Sequence, residues 1–148
     1  MNLFKEYLLE VSNLAISAGH KIMNHYQKET KVMIKEDQSP LTNADLAANN
    51  IITAGLTDID INIPIISEES FVDWKIRKEW SKYWLVDPLD GTKEFINKNG
   101  EFTVNIALIQ NNKPVLGVIF APALSTLYFA TKNFGSYKVN CETSLDSF

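Results

Sequence analysis

The sequence predicts an α+β fold in which helices come first and a largely antiparallel sheet follows. Apolar residues recur with a period near 3.6 through residues 2–27 and 41–56, which predicts two amphipathic helices. Beyond residue 102, apolar segments alternate with turn sequences such as Asn111-Asn112, which predicts consecutive antiparallel strands. We therefore expect helices layered on a sheet, within one domain over residues 1–148.

The helices have recognisable starts. Thr42 precedes the second helix, and Asp45 three residues later forms a variant of the capping box with it. A third, short helix is expected to begin at Thr92, and residues 71–81 form a loop or a short amphipathic helix. Strands are expected in the apolar segments bounded by turn residues, at 31–35, 63–66, 83–86, 102–110, 115–120, 126–131 and 135–139.

Composition excludes several classes of protein. The chain has 148 residues, 45% of them apolar, and a net charge of −4, which disfavours nucleic-acid binding. Its single cysteine, Cys141, cannot form an internal disulfide and favours the cytoplasm, with at most a peripheral association with the inner membrane. We expect no transmembrane segment, because the apolar runs fall short of about 20 residues. Glu6 and Glu10 argue against an export signal.

Acidic residues are concentrated in one part of the chain. No basic residue lies between Lys35 and Lys75, whereas eight acidic residues do. They form either a solvated acidic surface or a cation-binding site, and composition does not choose between the two.

Two predicted buried strands run directly into carboxylates. One ends in Glu68-Glu69, and the other enters the sequence D-P-L-D-G-T at residues 87–92. Buried carboxylates are costly unless positive charge pairs with them, and neither segment contains a lysine or arginine before Lys93. A bound divalent cation resolves this, and oxygen ligands favour Mg²⁺, Mn²⁺ or Ca²⁺ over zinc. An ordinary turn and a surface acidic pair remain the alternative.

The turn itself suits phosphate chemistry. The proline after Asp87 fixes φ, so the turn brings Asp87 and Asp90 around one point and directs the Leu89 carbonyl inward. Gly91 allows close backbone approach, and Thr92 at a helix start offers N–H groups to a phosphate. Together with a metal ion, these groups favour phosphoryl transfer to water. The spacing differs from the D-x-D-G-T motif with an aspartyl nucleophile, which argues against a covalent intermediate.

These segments resemble a known signature. Ser67-Glu-Glu-Ser70 followed by Trp84-Leu-Val-Asp-Pro-Leu-Asp-Gly-Thr92 is similar to the inositol monophosphatase superfamily. Residues 83–108 and 39–45 resemble its branch of bacterial 3'(2'),5'-bisphosphate nucleotidases, and Lys93-Glu94-Phe95 stands where the inositol branch has Thr-Asn-Phe. The resemblance implies a Mg²⁺-dependent, lithium-sensitive phosphatase with a sugar-phosphatase-like layered fold.

The resemblance also implies a role for each matching residue. Glu68, Asp87 and the Leu89 carbonyl would bind one metal ion, and Asp87 and Asp90 a second. Thr92 and Glu68 would orient the attacking water. Asp45 and Thr42 would lie near that water and near a further metal ion, which is compatible with their capping role. Glu69 would lie next to the metal ligands without binding the metal ion itself. The implied substrate-binding residues are Glu68, Leu89, Asp90, Gly91 and Thr92.

The implied reaction is Mg²⁺-dependent hydrolysis of 3'-phosphoadenosine 5'-phosphate to AMP, in sulfate assimilation. The alternatives are an inositol monophosphatase and an inactive metal-binding fragment. Family members are nearly twice as long and carry a Trp-Asp motif in a second α/β half, whereas this sequence has no Trp-Asp dipeptide. We therefore expect that half to be absent, catalysis to be poor, and the inner face of strands near 115–120 and 127–129 to promote self-association.

Overall fold

The computed structural model describes residues 3–28, 32–37 and 40–141. Its helices are α1 (Leu3–Tyr26), α2 (Asn43–Ile59), α3 (Trp74–Arg77) and α4 (Thr92–Ile96). Its strands are β1 (Val32–Ile34), β2 (Pro40–Thr42), β3 (Ile65–Ser67), β4 (Lys82–Asp90), β5 (Thr103–Gln110), β6 (Lys113–Ala121), β7 (Thr126–Thr131) and β8 (Gly135–Asn140). The expected start of the first helix at residue 2 and of the first strand at residue 31 lie outside these residues.

The main sheet has six strands in chain order, β3 to β8. β3 and β4 are parallel, and every following neighbour is antiparallel. β1 and β2 form a separate antiparallel pair. The expected order of helices followed by a largely antiparallel sheet is therefore confirmed, and the α+β class with it.

One face of the sheet carries the core because α1 and α2 cover it. Strand side chains alternate between the two faces, so Trp84 and Val86 of β4 are buried under the helices while Leu85 between them is exposed. A small residue allows α1 to approach the sheet closely, because a Cβ on Gly19 would lie 2.4 Å from the ring of Phe120 in β6. This layer fixes the orientation of β4, whose far end carries the predicted acids.

The opposite face of the sheet is open. Leu85, Ile119 and Tyr128 are 45%, 43% and 40% exposed there, and Ile119 pairs directly with Tyr128 across β6 and β7. The expectation of an exposed inner face holds for alternate residues only, because neighbours such as Val118 and Leu127 point towards the helices and are buried.

β4 differs from the expectation in a way that shapes the site. The apolar run was expected to end at Asp87, but the strand continues to Asp90. Its pairing with β5 shifts between Asp87 and Asp90 and resumes at Asp90 opposite Thr103. A proline has no N–H to donate, so the chain bulges where Pro88 stands and then rejoins the sheet.

Two other details were not expected from the sequence. β2 is a short strand that ends at the helix-capping Thr42. α2 continues three residues beyond 56 to Ile59, where the N–H of Asp60 bonds to the Leu56 carbonyl. Within the described ranges, no helix combines the length and the apolarity needed to cross a membrane.

Candidate active site

The ends of β3 and β4 and the start of α4 enclose a cavity of ≈ 260 Å³. The parallel pairing of β3 with β4 places Ser67 beside Val86. The two strands therefore end their pairing at the same level, where Glu68 follows Ser67 and Asp87 follows Val86. Six residues predicted for the site line this cavity: Glu68, Asp87, Leu89, Asp90, Gly91 and Thr92. Two motifs separated in sequence are thus brought together.

Asp45 lies beneath Thr92, almost fully buried at 1% exposure. One carboxylate oxygen accepts a hydrogen bond from the Thr92 hydroxyl at 2.9 Å. The other accepts from the Thr42 backbone N–H at 2.9 Å and from the Thr42 hydroxyl. The predicted capping box is confirmed, and the same carboxylate orients Thr92. Asp45 supports the cavity from below and does not line it, so its expected place near the attacking water stays a prediction.

The turn after β3 is held by residues that the sequence analysis missed. The Ser67 hydroxyl donates to the Asn49 side-chain oxygen at 2.6 Å, and the Glu69 N–H donates to the Ser67 hydroxyl at 3.3 Å. The Glu68 N–H donates to the Val86 carbonyl at 3.0 Å. A signal was present in the sequence, because Asn49 follows Asp45 by four residues and so shares its face of α2.

Neither acidic motif contains a basic residue before Lys93, but Glu69 has a basic partner from elsewhere in the chain. Lys35, just after β1, places its Nζ 3.1 Å from Glu69 Oε1. The Glu69 side chain is 5% exposed and that of Lys35 25%. Burial raises the pKa of Glu69, and the Lys35 ammonium opposes that rise. Glu69 therefore has a counter-ion, which comes from a distant segment of the chain.

Asp87 carries the strongest sign of crowded negative charge. Burial, followed by repulsion from Asp90 and Glu68, raises its pKa from 3.8 to about 7. A carboxylate in this setting is stabilised in its ionised form by a nearby cation.

The donor set of the cavity fits a hard divalent cation. The carboxylates of Glu68, Asp87 and Asp90 and the carbonyl of Leu89 are all oxygen ligands, which Mg²⁺ prefers. In the part of the chain that the structure describes, no three acidic, histidine or cysteine side chains are grouped tightly enough to surround an ion. Because like charges repel, we expect these carboxylates to converge only around a cation.

Gly91 makes the sharp turn between β4 and α4. Its φ is +93°, in the left-handed region, and a Cβ there would lie 2.7 Å from the Glu101 carbonyl oxygen. Its own carbonyl accepts the Phe95 N–H at 2.9 Å, which opens α4. The first N–H groups of a helix have no partner within it. Gly91 and Thr92 therefore present backbone donors next to the acids.

Comparison with known proteins gives three concordant matches. The chain matches the Inositol monophosphatase family over residues 5–147. It is 50% identical over 136 residues to the 3'(2'),5'-bisphosphate nucleotidase CysQ of Salmonella typhimurium, and 51% identical over 146 residues to that of Buchnera aphidicola. These matches cover 90% and 93% of this chain and 55% of each relative.

Comparison of the fold with solved structures identifies the same family. The crystal structure of CysQ from Bacteroides thetaiotaomicron, a bacterial member of the inositol monophosphatase family, matches with a TM-score of 0.79 and 46% identity. That match covers 91% of this chain and 49% of the other. The chain thus spans about half the length of the relatives it matches. These relatives are phosphoric monoester hydrolases, and members of their family are metal-dependent phosphatases. The resemblance inferred from the motifs is confirmed, and the chain belongs to the inositol monophosphatase family.

Proposed function

We propose that the site hydrolyses the 3'-phosphate of 3'-phosphoadenosine 5'-phosphate, giving AMP and phosphate, with Mg²⁺ as cofactor and a role in sulfate assimilation. The observation that carries the proposal is the single cavity that joins Glu68, Asp87 and Asp90 to Thr92, which the buried Asp45 orients. The substrate is supported by two nucleotidase relatives at 50% and 51% identity.

Glu68, Asp87 and the Leu89 carbonyl would hold one metal ion, and Asp87 and Asp90 would hold a second. Bound Mg²⁺ would supply positive charge that stabilises the phosphoryl oxygens in the transition state and makes water more acidic. The protein would add backbone N–H groups at Gly91 and Thr92, which hold the scissile phosphate. No side chain forms a bond to phosphorus in this scheme.

Thr92 and Glu68 would orient the attacking water. The Thr92 hydroxyl donates a hydrogen bond to Asp45 at 2.9 Å, so its oxygen lone pairs remain free to accept a hydrogen bond from water. Glu68, exposed on the cavity wall, would offer a second acceptor and take up the proton that water loses, while the departing 3'-oxygen would take a proton from solvent. The hydrogen bond to Asp45 keeps the Thr92 hydroxyl in this acceptor orientation.

Substrate choice distinguishes the possible functions. With Mg²⁺ present, the chain should release phosphate from the adenosine bisphosphate with a kcat/KM at least about tenfold above that for inositol 1-phosphate. Release should stop with EDTA and fall with Li⁺. The ratio between the substrates is the diagnostic quantity. Equal rates would move the assignment to inositol phosphates, and Mg²⁺ binding without release from either would identify an inactive metal-binding fragment.

We also place this chemistry in the cytoplasm, at most peripherally on the inner membrane. Cys141 is the single cysteine of the chain and carries a free, half-buried thiol. A thiol of this kind suits a reducing compartment.

We further propose that two copies of the chain associate through the open face of the sheet. Leu85, Ile119 and Tyr128 give that face an apolar centre, and contiguous exposed apolar surface favours association. Light scattering should show a mass that rises with concentration, and Ile119→Lys should shift it towards the monomer. Ile61→Lys, at an isoleucine that is exposed away from this face, is the matched control. A wild-type monomer at every concentration would contradict the proposal.

A further inference from the structure

Two adjacent acids at the end of β3 have different surroundings. Glu68 is exposed on the wall of the active-site cavity, whereas the Glu69 side chain is 5% exposed and ion-paired with Lys35. Their backbones are fixed by the bonds from the Glu68 N–H to Val86 and from the Glu69 N–H to Ser67. The ion pair therefore decides which of the two carboxylates is available to a cation.

Lys35 reaches this position from a distant part of the chain. It follows β1, 34 residues before Glu69, and its ammonium also interacts with the charges of Asp45 and Glu68. Among the described residues lining the cavity, five are acidic and two, Lys35 and Lys93, are basic. A cation that enters the cavity therefore meets a resident positive charge beside the carboxylates that would bind it.

We propose that Lys35 is a positioning residue, which holds Glu69 out of the metal site and so limits divalent-cation binding to Glu68, Asp87, Asp90 and the Leu89 carbonyl. The proposal rests on the proposed function for the identity of the ligands. The Lys35–Glu69 pair itself sets the affinity of the site for the divalent cation. Without Lys35, Glu69 is left as a free carboxylate beside the cavity and the local negative charge increases by one.

The role of the Lys35–Glu69 pair can be tested with Mn²⁺ alone, by measuring the concentration of free Mn²⁺ with electron paramagnetic resonance. Lys35→Met should tighten Mn²⁺ binding by about a hundredfold: about tenfold for the lost ammonium, the scale on which one neighbouring charge shifts an ionisation equilibrium, and about tenfold for the released Glu69 carboxylate. Glu69→Gln should weaken binding by about the same factor, because the Lys35 ammonium then lacks its partner. The double variant has no Glu69 carboxylate to release, so it should return close to the wild-type affinity, about tenfold weaker than the two single effects combined would give, and this difference reveals the coupling.

Lys93→Met is the matched control, since it removes a second ammonium from the same cavity. Its effect should be the same in the wild-type background and in the Glu69→Gln background, whereas the effect of Lys35→Met should differ between the two. Melting curves in EDTA check that each variant folds. A merely structural role would lower the melting temperature of Lys35→Met without tightening Mn²⁺ binding.

The outcomes separate this inference from the proposed function. The role of Lys35 is overturned if the effects of Lys35→Met and Glu69→Gln are additive. It is also overturned if Lys35→Met leaves Mn²⁺ binding unchanged or weakens it, even if the chain is an active phosphatase. Coupled effects support it even if the adenosine bisphosphate is not hydrolysed. Absence of Mn²⁺ binding in the wild type and in every variant overturns both this role and the metal site.

Discussion

Replacing Asp87 by asparagine should lower Mg²⁺-dependent phosphate release by on the order of 10³-fold or more. Asp87 is the acid proposed to contact both metal ions, and loss of a metal's charge at the phosphoryl group costs several kcal/mol. Each 1.36 kcal/mol corresponds to about tenfold in rate. The measurement is kcat/KM for the adenosine bisphosphate at saturating Mg²⁺. Asp58→Asn, at an exposed acid on α2, should leave this value unchanged.

The same variant should be more stable than the wild type when no metal is present. In the folded chain the pKa of Asp87 is raised from 3.8 to about 7, by burial first and then by neighbouring acids. A raised carboxyl pKa leaves stability intact below the unfolded value and removes it progressively as pH rises towards the folded value.

In EDTA, the wild-type melting temperature should therefore fall relative to that of Asp87→Asn between about pH 4 and about pH 7, and stay lower above that. Higher stability together with lost activity would show that the variant is folded and lacks a ligand. If Asp87→Asn retained its rate, or melted earlier than the wild type at pH 8, Asp87 would not belong to a metal site.

The sequence was most informative where one periodic pattern determines one element. The helix expected at 2–27 is α1, Leu3–Tyr26, because its apolar stripe must face the sheet. The capping box at Thr42 and Asp45 and the start of α4 at Thr92 were also correct, since both depend on neighbouring residues. The continuation of β4 past Asp87 was missed because it depends on β5, whose Thr103 pairs with Asp90. A strand end set by a partner strand leaves no local pattern.

The site divides along the same line. Glu68, Asp87, Asp90 and Thr92 could be predicted because acids at the end of an apolar strand form a local and energetically costly feature. Lys35 could not, because its ion pair with Glu69 joins residues 34 apart through the path of the β1–β2 hairpin. The hydrogen bond from Ser67 to Asn49 similarly requires the packing of α2 on β3. Local chemistry thus identified the ligand candidates, whereas tertiary structure supplied the residues that position them.

Gly91→Ala should destabilise the folded chain more than the same change at a glycine within a strand. The residue has a φ of +93°, and the added Cβ would lie 2.7 Å from the Glu101 carbonyl oxygen, a backbone atom that cannot rotate away. Backbone strain of this kind costs about 1–3 kcal/mol before the steric clash is included. Each kcal/mol corresponds to about 2–4 °C in melting temperature for a chain of this size.

Gly117→Ala provides the matched control, because Gly117 lies in β6 with no atom within 4 Å of its added Cβ. Alanine replaces glycine in a strand interior with a gain of roughly 0.5–1 kcal/mol, so this variant should melt at the same temperature as the wild type or slightly higher. Gly91→Ala should melt several degrees lower and also bind Mg²⁺ more weakly, since the turn carries Asp90 and Thr92. Equal melting temperatures for the two variants would show that the turn into α4 does not require the left-handed conformation, and that the placement of its backbone donors beside the acids is incorrect.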